Sequence, residues 1–192
     1  MNYKMDTLKA ISSNHMKNLS AVLMLLGFTT FMHCKQAGRE EKRANTEADQ
    51  VIMLFDNPSD ENSALPRLFS NGEALYFSWV SKQDSLSTLY FSKYANQKWS
   101  KAEAIISGTD WFVNWADFPV IAENNGNILT SFLQKSASGT YTYDIKLNLF
   151  QAKTNSWKKN FILHTDGTQS EHGFVTIKPY VGNSFFITWL DG

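Results

Sequence analysis

Residues 66–80 read PRLFSNGEALYFSWV, and residues 119–133, 53 positions further on, read PVIAENNGNILTSFL. The two prolines, the Asn-containing turns and the apolar runs fall in register, with Ser78 on Ser131 and Trp79 on Phe132. A third, partial copy at residues 185–190, FFITWL, sets Trp189 57 positions after Phe132. The second half of the unit also recurs, since Leu89, Phe91 and Trp99 match Leu147, Leu149 and Trp157 at a constant offset of 58. The step from 53 to 58 implies five extra residues within 134–142 of the second unit, and insertions belong in loops.

Inside the unit the hydrophobic period is two. Tyr141, Tyr143, Ile145, Leu147 and Leu149 alternate with Thr142, Asp144, Lys146 and Asn148, the pattern of a strand, and no helical period is sustained after residue 50. The second unit divides into strands near 118–122, 127–134, 140–151 and 157–164. Its hairpin residues Glu123, Asn124, Asn125 and Gly126 supply the types that tight turns need. Four antiparallel strands in about 55 residues make one blade of a β-propeller. A β-sandwich or an up-and-down barrel would explain the strands but not the repeat.

The predicted fold class is therefore all-β. Residues 51–192 are expected to form about two and a half four-stranded blades, whereas a closed ring needs at least about four. The expectation is an incomplete propeller, six-bladed at full length, with this chain as its N-terminal part.

Composition agrees with such a fold. The 192 residues are 43% hydrophobic and 14% aromatic, which excludes wholesale disorder and suits half-buried strands. Eighteen basic residues balance 18 acidic ones, which excludes a charge-driven nucleic-acid binder. There is one cysteine, so no internal disulfide can form, and no Cys/His spacing suggests zinc. No metal and no cofactor are expected.

The N-terminal segment reads as an address. Residues 19–32, LSAVLMLLGFTTFM, are apolar or small and follow a short positive start that includes Lys17. As a helix this run reaches about 21 Å, short of a bilayer core of roughly 30 Å. Cys34 sits directly at its end. The placement resembles a bacterial lipoprotein signal over residues 1–34, with Met16 as an alternative start and Cys34 as the lipidated residue. His33 stands where that signal normally carries a small residue, and the alternative is an incidental thiol. Residues 35–50, KQAGREEKRANTEADQ, lack aromatic residues and read as a flexible tether, or else as a polar surface helix. The expected location is outside the cytoplasm, on a bacterial outer membrane or cell surface, with the lipid as the membrane contact.

Several motifs carry a family resemblance. Residues 92–99, SKYANQKW, resemble the S-x-D-x-G-x-x-W hairpin of sialidase-like propellers. Ser92 and Trp99 match, Asn96 replaces glycine and Tyr94 replaces aspartate; a second copy at 154–157 keeps only Trp157. Residues 111–119 (WFVNWADFP), 166–175 (DGTQSEHGFV) and 189–192 (WLDG) are similar to strings found in that order in bacterial, often lipid-anchored, sialidase-like proteins. The resemblance covers residues 65–192 and implies a propeller that binds or hydrolyses a glycan.

The same resemblance implies a chemistry of three arginines on a carboxylate, a tyrosine nucleophile paired with glutamate, and an aspartate acid/base. Arg67 is the single arginine after residue 50, so no arginine triad can be assembled and no sialidase activity is expected of this chain. In a propeller, the loops leading into each inner strand and those joining second to third strands project on one face. That face would gather Asp117, Glu171 and His172 as catalytic candidates. Asn114, Trp115, Lys135, Tyr141, Gln169 and Arg67 are the substrate-binding candidates. Plainer roles compete: Trp111 and Trp115 as packing between blades, Asp117 and Asp144 as turn or amide partners, His172 and Glu171 as a loop-holding contact, and Tyr141 and Tyr143 as core. A non-enzymatic glycan- or protein-binding surface is the alternative function.

Overall fold

The computed structural model describes residues 54–192, which belong to a compact unit spanning Val51–Gly192. The expected signal, the expected lipidation site Cys34 and the expected tether lie outside the described residues. Eleven strands form three antiparallel sheets: β1 (Ser63–Ser70), β2 (Leu75–Gln83), β3 (Leu86–Ala95), β4 (Lys98–Trp99), β5 (Glu103–Gly108), β6 (Ile121–Asn124), β7 (Asn127–Lys135), β8 (Tyr143–Gln151), β9 (Ser156–Ile162), β10 (His172–Pro179) and β11 (Phe185–Asp191). The described residues contain no helix, so none is long and apolar enough to cross a membrane.

The first sheet runs β1-β2-β3, with β4 and β5 both paired to the outer edge of β3. Those two segments are one interrupted fourth strand. At the break, Ser92 Oγ donates to the carbonyl of Ser100 at 2.8 Å, and the Lys93 amide donates to Ser100 Oγ at 3.0 Å. The second sheet is β6-β7-β8-β9, and the third is the hairpin β10-β11. The turns match their residues: Asn96 and Gln97 (φ 51° and 62°) and Asn125 and Gly126 (φ 52° and 82°) both adopt the left-handed conformation that a two-residue hairpin loop needs. Asp84 and Ser85 alone join β2 to β3, whereas seven residues, 136–142, join β7 to β8, so the five-residue insertion sits in that loop.

The sheets pack through their apolar faces. On β7, Ile128 and Phe132 join a core with Tyr76, Val80, Leu89 and Phe91 of the first sheet, while Leu129 and Leu133 join Val175 and Ile177 of the third. Successive side chains point to opposite faces of a strand, so an uninterrupted apolar run here marks burial on both sides. The repeat holds in orientation. Phe132 faces the first sheet, Trp189 packs toward the second, and Trp79 turns away from the second sheet to stack on Phe77 and Tyr90 at centroid distances of 5.1 and 5.8 Å. The first strands of the three sheets, β1, β6 and β10, neighbour one another in order.

Side chains bind successive hairpin turns together. Asn71 Nδ2 donates to Glu123 Oε2 at 2.6 Å, and Glu123 Oε1 accepts the Gly126 amide. Asn124 Nδ2 reaches the carbonyls of Tyr180, Gly182 and Ser184 at 2.7–3.0 Å. The third sheet buries Val175 and Ile177 on one side and exposes Phe174, Phe186 and Leu190 on the other.

Candidate functional site

The hairpin turns of β1-β2, β6-β7 and β10-β11 lie at one end of the strands. Antiparallel order therefore sends the long loops, 109–120, 136–142 and 163–171, to the opposite end. That end carries nearly every candidate residue named from the sequence.

Its centre is Gly173. A Cβ at this position would overlap Asp117 Oδ2 and come within 3.2 Å of Tyr143 Cε2, so only glycine lets the two side chains close on β10. Asp117 Oδ2 accepts the Phe174 amide at 2.8 Å. Phe174 has φ 53° inside a bulge between Gly173 and Thr176, a strained conformation for an aromatic residue. Leu65, with φ 55°, sits in the matching bulge of β1. Burial pushes the Asp117 carboxyl above its ordinary range, the Phe174 amide opposes that, and the Glu171 charge adds to it.

Tyr143 Oη donates to Glu171 Oε1 at 2.5 Å, and the two backbones form an isolated parallel bridge. Tyr143 is 1% exposed and stacks on Phe112 at 4.1 Å. Burial first, and then the bond to Glu171, push its phenol far above the ordinary value, so it stays neutral at working pH. The Arg67 guanidinium lies over the Phe118 ring at 4.9 Å and lowers the Asp117 carboxyl weakly from there.

Several of the substrate-binding candidates are exposed at this end of the sheets. Trp115 is 83% exposed and Tyr141 61%, with Tyr141 edge-on to Phe112 at 6.2 Å. Lys135 and Gln169 are exposed, and half-buried Asn114 accepts the Ala116 amide at 2.8 Å in a local turn. The packing role proposed from sequence fits Trp111, which is buried against Phe132 at 4.5 Å, but not Trp115. Tyr143 belongs to the core, whereas Tyr141 does not.

His172 departs from the sequence reading in its partner. Glu171 and His172 are neighbours at the start of β10, so their side chains point to opposite faces, and Glu171 takes Tyr143 while His172 turns the other way. His172 is fully buried and stacks on His164 with ring centroids 3.7 Å apart. Its Nε2 lies 3.2 Å from both Asp166 Oδ2 and Asp191 Oδ1. Burial works against a charged ring, but Asp166, the Tyr143 carbonyl and Asp191 together raise His172 above its usual value. Asp166 is held well below the carboxylate range by the Thr168 hydroxyl and by the two histidines. A shallow cleft lined by Ser136, Asp144, His164, Thr168 and Gln169 opens beside this cluster.

No protein-family model matches this chain, and comparison with curated proteins and with solved structures gives no match.

Proposed function

We propose that this chain is a sialidase-like propeller segment, exported and lipid-anchored through Cys34, that binds a glycan at the loop end of its sheets. The observation that carries this reading is the meeting of Asp117 and Tyr143 over Gly173, with Glu171 bonded to Tyr143, at the same end of the sheets as the exposed Trp115, Tyr141 and Gln169. Three separate loops supply these groups. An exposed indole and an exposed phenol offer flat apolar platforms to a sugar ring, and the polar groups at the same end offer hydrogen bonds that fix its orientation.

The propeller reading is supported by the repeat, by the order of β1, β6 and β10, and by the outward apolar residues of the third sheet, which a further blade would cover. β10 and β11 correspond on this reading to the first two strands of a third blade.

Hydrolysis is the second reading. In its favour, the resemblance implies a tyrosine paired with glutamate and an aspartate acid/base, and Tyr143, Glu171 and Asp117, whose carboxyl is shifted upward by burial, match those types. Binding is favoured over turnover because Tyr143 is closed off from solvent and kept neutral, and because Arg67 is the lone arginine of the described residues. A buried neutral phenol is a poor nucleophile.

Calorimetric titration of the purified full chain with sialylated and neutral oligosaccharides tests this function. Binding is expected, and Trp115→Ala should weaken it about tenfold, or ~1.4 kcal/mol. No release of a fluorogenic sialoside is expected. Measurable release that Glu171→Gln abolishes while sparing binding would establish the hydrolase instead, and absence of binding to every oligosaccharide would remove the glycan reading.

A further inference from the structure

The chemistry gathered around His172 is not used by the glycan site. His172 Nδ1 lies 3.2 Å from the carbonyl oxygen of Tyr143, which can only accept, so Nδ1 carries a hydrogen. Its Nε2 faces Asp166 Oδ2 and Asp191 Oδ1, each at 3.2 Å, from inside a fully buried position. The Thr168 hydroxyl, which donates to Asp166 Oδ2, also lies 3.3 Å from Nε2. A cation bound among these atoms would neutralise the two carboxylates and take up the Nε2 lone pair.

We propose that His172 Nε2, Asp166 Oδ2 and Asp191 Oδ1 form a binding site for a divalent first-row metal ion of the Zn2+ type, with a fourth position open to solvent. The ligand separations support this. Neighbouring ligands of a tetrahedral ion with bonds of ~2.0–2.2 Å stand about 3.3–3.6 Å apart, so the two separations of 3.2 Å need to open by only a few tenths of an ångström.

The supporting groups are already in place. The Tyr143 carbonyl fixes the His172 tautomer that frees Nε2. The Ile145 amide donates to His164 Nε2 at 3.4 Å, so His164 Nδ1 carries a hydrogen and donates it to Asp166 Oδ1 at 3.0 Å. Thr168 Oγ donates to the same carboxylate. Asp166 is thus oriented from two sides, as outer partners orient a ligating carboxylate. One imidazole with two carboxylates favours a first-row ion over Mg2+ or Ca2+. Asp166 and Asp191 remain partly exposed, which gives an ion its route in. Asp144 approaches His164 Nε2 at 3.8 Å and lies outside the proposed set.

The sequence carries no recognisable spacing for such a site because its ligands come from the β9-β10 loop, the start of β10 and the end of β11. The proposal is independent of the glycan reading, since its test uses the metal alone.

The test is titration of the chelator-treated full chain with ZnCl2 near neutral pH, in a Cys34→Ser background that removes the thiol as a competing ligand. One equivalent should bind, and Co2+ should give the visible absorption of a four-coordinate ion. Asp166→Asn and Asp191→Asn, both at partly exposed positions, should each weaken Zn2+ binding about tenfold or more, while Asp144→Asn leaves it unchanged. Circular dichroism confirms that each variant is folded. Failure of the folded chain to bind Zn2+ would overturn the site. Affinity unaffected by both Asp166→Asn and Asp191→Asn, or lost in Asp144→Asn alone, would overturn it as well.

Discussion

Phe132→Ala is expected to lower the free energy of unfolding by about 3–5 kcal/mol. Phe132 is 2% exposed and tilted against Trp111 with ring centroids 4.5 Å apart, in the core that joins the first and second sheets. Truncation removes the ring from that interface, and strands on both sides hold their backbones too firmly to fill the space. Urea unfolding followed by tryptophan fluorescence measures the effect. Phe186→Ala supplies the contrast, because Phe186 lies on the outward side of β11 and is 59% exposed. A change within about 0.5 kcal/mol is expected there. Equal effects at the two positions would mean that the middle sheet is not enclosed from both sides.

Asp117 provides the second large effect, and its sign depends on the substitution. Asp117→Ala leaves the part-buried Phe174 amide without its acceptor, a loss of about 1–3 kcal/mol. Asp117→Asn keeps an oxygen for that amide and removes a charge that burial disfavours. The folded-state pKa of Asp117 is raised, so the protonated carboxyl favours folding. That contribution is fully present below the ordinary carboxylate pKa and disappears as pH rises through the raised value. Asn behaves as the permanently uncharged form. The stability of Asp117→Asn relative to the parent should therefore grow as pH is raised from the acid side through that window and then level off. Denaturation midpoints measured across the pH range check this. A difference that shrinks with rising pH would mean that Asp117 is stabilised as a carboxylate.

How much of this was legible in the sequence depended on the range of the interaction. The repeat aligned Trp79 with Phe132 and Trp189, and the side of its sheet that each faces emerged only in the structure. Strand alternation and turn residues are local, so they survive in one dimension. Asn125 and Gly126 announced their turn, and the extra residues of the β7-β8 loop were countable. The interrupted strand β4-β5 was not legible, because its break depends on Ser92 and Ser100 meeting across the strand pair.

The site was legible by location and less so by pairing. Asp117, Glu171 and His172 do reach the same end of the sheets. Their partners come from residues far apart in the chain, and no spacing reveals them. Tyr143 has the period of a core residue and is one, yet its hydroxyl sits on Glu171. His164, Asp166 and Asp191 show no pattern until β11 returns beside β10. Trp115 is identical in type to Trp111 and differs from it only in lying four residues further along the same loop, where nothing packs on it.

The central claim is that the repeated modules are consecutive sheets, with the second enclosed between the first and the third. Methyl and aromatic nuclear Overhauser contacts from β7 test it most directly. The account predicts that Ile128 and Phe132 show contacts to Tyr76, Val80 and Leu89, while Leu129 and Leu133 show contacts to Val175 and Ile177. Contacts from all four residues to a single sheet, with the other side open to solvent, would contradict it.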